Sequence, residues 1–306
     1  MGRDFLSMDD VTASELDVLL ELSEKAKVSP GDYSERLRGK SVAMVFEKPS
    51  TRTRVSFEVA VAEAGGHPVV LSAGELQLGR GETIEDTGRV LSRYVDAIVL
   101  RTFEQERLEV LAEAATVPVV NALSDFEHPC QCLADLLTVR EKKGDLAGLT
   151  LAYLGDGNNV THSLLLGGAL TGMHVRVATP PGFEPIPQIV QRATEIAEET
   201  GGSVAVMREP IDATIDADVL YTDVWASMGQ EAEAEDRSLV FPAYRIDQAA
   251  VDRARDDVIV LHCLPAHRGH EITDEVIDGP HSAVWDQAEN RLHTQKALLA
   301  WLLAEA

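Results

Sequence analysis

Short apolar runs alternate along the whole chain with longer runs of mixed character, and the alternation is regular enough to assign elements. Ser41-Val42-Ala43-Met44-Val45-Phe46 is nearly continuous in its apolar character, as a strand covered on both faces must be. Residues 53–64 then place apolar side chains at helical spacing and stop at Gly65-Gly66. Further strands are expected over 68–72, 97–100 and 117–121, with helices over 83–94 and 104–115 between them. A long helix over 131–143 meets a break at Gly144. A second series follows, with strands over 150–154, 174–178, 203–206, 219–222 and 258–262. Gly155-Asp156-Gly157 after the first of these opens a helix over 160–171. Residues 284–285 add a short strand, and 287–304 is a helix with Leu292, Leu299 and Leu303 on one face.

Strand and helix in alternation build parallel sheets. The expected fold class is therefore α/β: two doubly wound parallel-sheet lobes joined by a long helix, with a C-terminal helix packing back on the first lobe. The boundaries expected are 1–143, 144–286 and 287–306. Ligands in such sheets sit beyond the carboxyl ends of the strands.

Composition narrows the partners. The chain has 306 residues, enough for roughly two domains at about 150 residues each, and a formal net charge of -24. So acidic a surface repels nucleic acid and anionic membranes, and neither is an expected partner. Lysine is scarcer than arginine. Acid excess with few lysines fits a surface adapted to high salt as well as an ordinary acidic protein, and we favour the former. Three cysteines, Cys130, Cys132 and Cys263, make no disulfide framework. The start, Met1-Gly2-Arg3-Asp4-Phe5, has no apolar signal core, and no run approaches the roughly 18 apolar residues of a membrane span. A cytoplasmic location is expected.

The chemistry starts at Phe46-Glu47-Lys48-Pro49-Ser50-Thr51-Arg52-Thr53-Arg54. A buried strand ends there, a turn follows, and a helix begins among three hydroxyls and two arginines. Free N–H groups at a helix start, hydroxyls and guanidinium groups make an anion cradle. By itself the turn reads either as a phosphate site or as a capped helix with solvated arginines.

This stretch resembles the phosphate motif of the aspartate and ornithine carbamoyltransferase family. The resemblance continues along most of the chain and in order: Arg101-Thr102-Phe103, His128-Pro129-Cys130-Gln131, Asp223-Val224-Trp225-Ala226-Ser227-Met228-Gly229, His262-Cys263-Leu264-Pro265-Ala266 and Gln287-Ala288-Glu289-Asn290-Arg291. The Asp223 loop and Cys263 resemble the ornithine branch. The resemblance implies a carbamoyl phosphate-binding domain over 1–143 and an ornithine-binding domain over 144–286. It also implies transfer of the carbamoyl group to the δ-amine of L-ornithine, giving L-citrulline and phosphate in arginine biosynthesis. A putrescine acceptor, the catabolic direction and a silent carbamoyl phosphate-binding regulator stand as alternatives.

Roles follow from the resemblance residue by residue. Ser50, Thr51, Arg52 and Thr53 take the phosphate, and Arg291 brings a second guanidinium to it. Arg101 and His128 donate to the carbonyl oxygen, where donors stabilise the charge that develops on attack. Gln131 accepts from the carbamoyl nitrogen, and the backbone at Cys263 and Leu264 adds an acceptor. Gln77, in a glycine-flanked loop, reaches a neighbouring subunit's site, which implies a homotrimer or a multiple of trimers. Asn159 takes the ornithine carboxylate and Asp223 its ammonium group, while Ser227 and Met228 close over the aliphatic chain.

Catalysis is expected from Arg101, His128 and Cys263. A nucleophilic Cys263 would need a paired base, and the adjacent His262 faces the other side of a strand. A binding role near the δ-amine is preferred, and a small buried residue at a strand end is equally consistent with the position. Gly155-Asp156-Gly157 lacks the third glycine of a dinucleotide motif. Cys130 and Cys132 lie about 200° apart on a helix, unsuited to sharing a zinc ion. No metal and no organic cofactor are expected; the partners are carbamoyl phosphate and L-ornithine.

Overall fold

The computed structural model describes residues 3–72, 81–226, 237 and 239–304. The chain divides into two compact units. Unit 1 comprises Met1–Ala134 and Asn290–Ala306, and unit 2 comprises Asp135–Glu289.

Unit 1 is built on a parallel sheet in the order β2-β1-β3-β4, formed by β1 (Ser41–Phe46), β2 (His67–Ser72), β3 (Ala97–Arg101) and β4 (Val119–Leu123). The central strand β1 is buried from Val42 to Phe46, which is why its sequence shows no alternation. Its helices are α1 (Ala13–Val28), α2 (Thr51–Glu63), α3 (Ile84–Leu91) and α4 (Gln105–Ala114). Helix α1 is absent from the sequence expectation, although Thr12 and Glu15 form a capping box at its start and could have signalled it. Ahead of it, Phe5 bridges to Val120 beside β4. Helix α2 stops where expected. Gly65 takes φ +80, and a Cβ there would lie 2.5 Å from the Ser34 carbonyl oxygen, so glycine is required.

Unit 2 carries a five-stranded parallel sheet in the order β7-β6-β5-β8-β9. Its strands are β5 (Thr150–Leu154), β6 (His174–Ala178), β7 (Ser203–Met207), β8 (Val219–Thr222) and β9 (Ile259–His262). Helices α6 (Asn159–Leu170), α7 (Pro187–Thr200), α8 (Pro210–Thr214), α9 (Gln248–Val251) and α10 (Asp274–Ile277) accompany them. Every residue of α6 is buried. Burying Leu164, Leu165 and Leu166 contributes about 1.5–3 kcal/mol each. Gly168 lets α6 lie close on β6, since a Cβ would sit 2.4 Å from Val175 Cγ2.

The chain leaves unit 1 within α5 (Pro129–Lys143) and returns within α11 (Val284–Ala304). The end of α11 belongs to unit 1. Lys27 on α1 donates to Asn290 Oδ1 at 2.8 Å, and the buried Lys296 pairs with Glu63 of α2. The C-terminal helix thus packs back on the first lobe, and the α/β class with two parallel sheets stands. Residues 284–285 correct the expectation. The strand-like contact sits earlier, where Ser282 bridges to Val260 and Ala283 N–H donates to the Val260 carbonyl at 2.9 Å. Gln287 N–H then donates to the Ala283 carbonyl at 2.9 Å, so Val284 and Trp285 are already helical.

Candidate active site

Each sheet has one topological switch point, between β1 and β3 in unit 1 and between β5 and β8 in unit 2. Such points open a crevice beyond the strand ends, because successive connections leave in opposite directions. The sequence-predicted residues of the described chain gather at these two points.

In unit 1, β1 and β3 run in register with Phe46 opposite Arg101, and Glu47 N–H donates to the Arg101 carbonyl at 2.9 Å. The turn after β1 delivers Ser50 as the extended N-cap of α2. Its hydroxyl makes no cap bond to the helix. Thr51 and Arg52 are exposed on the first turn, while Thr53 is buried. Thr53 Oγ1 accepts from Arg101 Nη1 at 3.4 Å and from Arg291 Nη2 at 2.9 Å. Arg291 Nη1 donates to Gln131 Oε1 at 3.0 Å. Thr53, Arg101 and Arg291 therefore meet at one hydroxyl and Gln131 joins them through Arg291, the four coming from α2, β3, α11 and α5.

His128 lies just before α5, buried. Burial, then the Arg291 and Arg101 charges, hold its imidazolium well below the usual histidine range. The ring is neutral at pH 7 and offers one N–H donor. Cys130 is different: burial pushes its thiol up to about 12, and it donates to the Asn121 carbonyl at 3.3 Å, an inert core position.

The strand ends are braced by residues that the sequence reading passed over. Glu47 pairs with Arg107, whose Nε lies at 3.2 Å, and accepts from the Thr102 hydroxyl. Buried Lys48 pairs with Asp125 and lies 4.1 Å from the Phe103 ring centroid. These contacts fix the turn from which Ser50 to Thr53 project. The charged Glu47-Lys48 pair directly after an apolar strand was the available signal.

In unit 2, the turn after β5 leads to Asn158, the N-cap of α6. Asn158 Oδ1 accepts from Val160 N–H at 3.0 Å and Thr161 N–H at 3.2 Å, and its Nδ2 donates to Asp223 Oδ2 at 3.0 Å. Gly157 is fixed by space, as a Cβ would lie 2.3 Å from the Pro185 nitrogen. Asn159 is buried and its Oδ1 accepts from Val160 N–H at 3.0 Å. Asp223, just past β8, accepts on Oδ1 from Val224 N–H and from the Cys263 thiol, both at 2.8 Å. Asn158, not singled out beforehand, thus joins the helix cap to the acidic residue.

Strand alternation alone would set His262 on the face opposite Cys263, but the chain turns at the end of β9 and a ring nitrogen of His262 lies within 4.8 Å of the Cys263 thiol, a correction to that expectation. His262 Nδ1 accepts from Leu264 N–H at 2.8 Å, so the proton sits on Nε2, which faces the buried Glu271 Oε1 at 3.1 Å. Leu264 takes φ +58, rare for a residue with a side chain, and the bond to His262 holds it there. Among the described residues, Asp223, His262 and Cys263 form one group able to surround an ion, with ligand atoms within 4.8 Å. Both ring nitrogens of His262 are already engaged, so a metal bound through either one would displace the hydrogen bond that nitrogen makes. Gln77, Ser227 and Met228 lie outside the described residues.

Two family models divide the chain. Residues 3–141 match the aspartate/ornithine carbamoyltransferase carbamoyl-P binding domain, and residues 147–302 match the Asp/Orn binding domain of the same family. An ornithine carbamoyltransferase of Parafrankia sp. is 62% identical over 99% of this chain and 97% of its own length. An anabolic ornithine carbamoyltransferase of Pyrococcus furiosus is 55% identical over 99% of this chain and 96% of its own. The solved ornithine carbamoyltransferase structure from Pyrococcus furiosus superposes with a TM-score of 0.96 at 54% identity, covering 100% of this chain and 98% of that one. Two models that between them take in nearly every residue, and relatives alike from end to end, agree with the chemistry at the two switch points: the chain belongs to the aspartate/ornithine carbamoyltransferase family.

Proposed function

We propose that this chain is an ornithine carbamoyltransferase, moving the carbamoyl group of carbamoyl phosphate to the δ-amine of L-ornithine and releasing L-citrulline and phosphate. One observation carries the reading beyond the family. The two switch points hold opposite chemistry, guanidinium groups converging on Thr53 at the first and a carboxylate beside a thiol at the second. The first suits a doubly charged phosphate and the second a cationic amino acid. An aspartate acceptor would bring a second carboxylate toward Asp223 and be repelled. The anabolic direction is supported by the relative named for it.

In the proposed mechanism, Ser50, Thr51, Arg52 and Thr53 hold the phosphate at the start of α2, where free N–H groups and the helix dipole favour an anion. Arg291 adds charge on that side. Arg101 and neutral His128 donate to the carbonyl oxygen, each good donor stabilising the transition state by about 3 kcal/mol. Gln131 has a second lone pair on Oε1 for the carbamoyl nitrogen. The Cys263–Leu264 backbone accepts from the same nitrogen. Asp223 and Asn159 hold the α-amino and carboxylate ends of ornithine, and Cys263 lies by the δ-amine. Ser227 and Met228 cover its chain.

The δ-ammonium first gives one proton to solvent; the neutral amine then adds to the carbonyl carbon, forming the C–N bond and a tetrahedral intermediate that collapses as the C–O bond to phosphate breaks. The proton that remains in excess on the attacking nitrogen passes to the departing phosphate. Orientation and electrostatics account for the acceleration. We further propose a homotrimer, with Gln77 serving a neighbour's site; sedimentation of the full chain tests it. The reading itself is tested by steady-state assays with ornithine, putrescine and aspartate. Citrulline formation from ornithine is expected at the highest kcat/KM, and a clear preference for either other amine would overturn it.

A further inference from the structure

Unit 2 holds a buried polar cluster that the proposed chemistry leaves unused. Asp135 of α5, Tyr221 of β8 and Gln287 of α11 are each no more than 1% exposed. The Tyr221 hydroxyl donates to Asp135 Oδ2 at 3.1 Å. Gln287 Nε2 donates to Asp135 Oδ1 at 2.7 Å and to the Tyr221 oxygen at 3.1 Å. The other end of the same amide, Oε1, accepts from the His262 backbone N–H at 2.9 Å. Only this orientation satisfies both ends, because the reverse would set carbonyl oxygen against carboxylate and N–H against N–H.

The place of that last bond matters. Among the described residues β9 is the edge strand of its sheet, with β8 as its strand partner. On its outer side Val260 N–H donates to the His281 carbonyl at 2.8 Å, and the Val260 carbonyl accepts from Ala283 N–H at 2.9 Å. Two residues on, no further backbone among the described residues donates to or accepts from that edge, and the Gln287 side chain takes the His262 N–H instead. Cys263 comes next in sequence, with its thiol 2.8 Å from Asp223 Oδ1, and then Leu264 at φ +58.

We infer that Gln287 is a positioning residue for the ornithine half-site: it clamps the outer edge of β9 and so sets Cys263 against Asp223, while Asp135 and Tyr221 hold the clamp. The inference rests on the reading that Asp223 and Cys263 handle ornithine. A neutral amide is the group that fits. A hydrocarbon would take the Gln287 acceptor from the His262 N–H and one of several donors from Asp135, which keeps Tyr221, and a carboxylate would oppose Asp135.

The test is steady-state carbamoyl transfer by the full chain and by Gln287→Ala and Gln287→Glu, varying each substrate in turn across pH. Gln287→Ala is expected to lower kcat/KM for ornithine by about tenfold or more, the scale of leaving buried polar groups unpaired. KM for carbamoyl phosphate should change less than kcat/KM for ornithine, because in the proposed mechanism it meets this segment only through the Cys263–Leu264 backbone. Gln287→Glu keeps the acceptor for His262 and can donate to Asp135 while the two carboxyl groups share one proton. Its kcat/KM for ornithine should approach wild type at the acid end of the working range and fall as pH rises, a descent that wild type lacks. That profile decides the matter even if the alanine variant fails to fold. An active wild type with both variants within about twofold of it at every pH overturns the inference alone. A wild type that makes no citrulline removes the functional reading and the inference with it.

Discussion

The two switch points solve the same problem with opposite means. In unit 1 the fold surrounds one buried hydroxyl, Thr53, with guanidinium groups from β3 and α11, and keeps His128 neutral beside them. In unit 2 it surrounds one carboxylate, Asp223, with neutral donors: an amide, a backbone N–H and a thiol. The first arrangement concentrates positive charge on a chain of net charge -24. The second sets a carboxylate among neutral donors, the arrangement the proposed function assigns to the cationic amino acid. The same kind of switch point in two parallel sheets of four and five strands thus carries different side-chain chemistry at the strand ends.

The contrast can be broken most forcefully from the donor side. Arg101→Ala removes a donor needed only as charge develops, and kcat is expected to fall about 10²- to 10³-fold, read from initial rates at saturating substrate. A loss confined to KM would place Arg101 in ground-state binding instead. On the acceptor side, Asp223→Asn keeps the shape and removes the charge. Ornithine kcat/KM should drop by about ten- to a hundredfold, with carbamoyl phosphate KM nearly unchanged. Equal effects on both substrates would dissolve the division of labour.

Smaller effects report on the scaffolds. Gly157→Ala meets the Pro185 backbone and should destabilise unit 2 by about 1–3 kcal/mol, seen as a lower denaturation midpoint. His128 gives a pH signature. Its folded pKa lies below the unfolded value of about 6.5, so the unfolded chain binds more protons in that window. Stability should fall as pH drops below about 6.5, by up to about 1.4 kcal/mol per pH unit, until the folded pKa is reached. His128→Gln should flatten that slope; an unchanged slope assigns it to other groups. Salt is expected to have the mildest effect. Arg52 is exposed, so screening should raise the carbamoyl phosphate KM more than the ornithine KM, and Arg52→Gln should reduce the difference.

Much of this was legible in the linear chain. Strands β5 and β8 begin and end where the apolar runs do, because strands buried on both faces leave a continuous apolar signal, while β6 shows alternation instead, with His174 and Arg176 half-buried in alternation with buried valines. The turn at Ser50 and the motifs at Arg101, His128, Asp223 and Cys263 were equally plain, since each follows a strand end or opens a helix. Asn158 was not, because an N-cap asparagine has the same local appearance whether or not its amide also reaches a distant carboxylate. Residues 284–285 misled because a β-branched residue and an aromatic favour strands, while a contact around Ser282 and helix propagation from Ala283 decided otherwise.

The sequence by itself determined the order of elements, the parallel sheets that such an order allows and the residues that carry charge. Periodicity and turn chemistry are local properties, written within a few residues. Tertiary structure alone decided which of those charges share a partner: Arg101 and Arg291 lie 190 positions apart yet meet at one Thr53 hydroxyl, and Gln287 completes an edge 25 positions before it. Burial decided protonation as well, since His128 is neutral because of what surrounds it. A side chain's partner and its proton depend on distance in space, and only folding sets that distance.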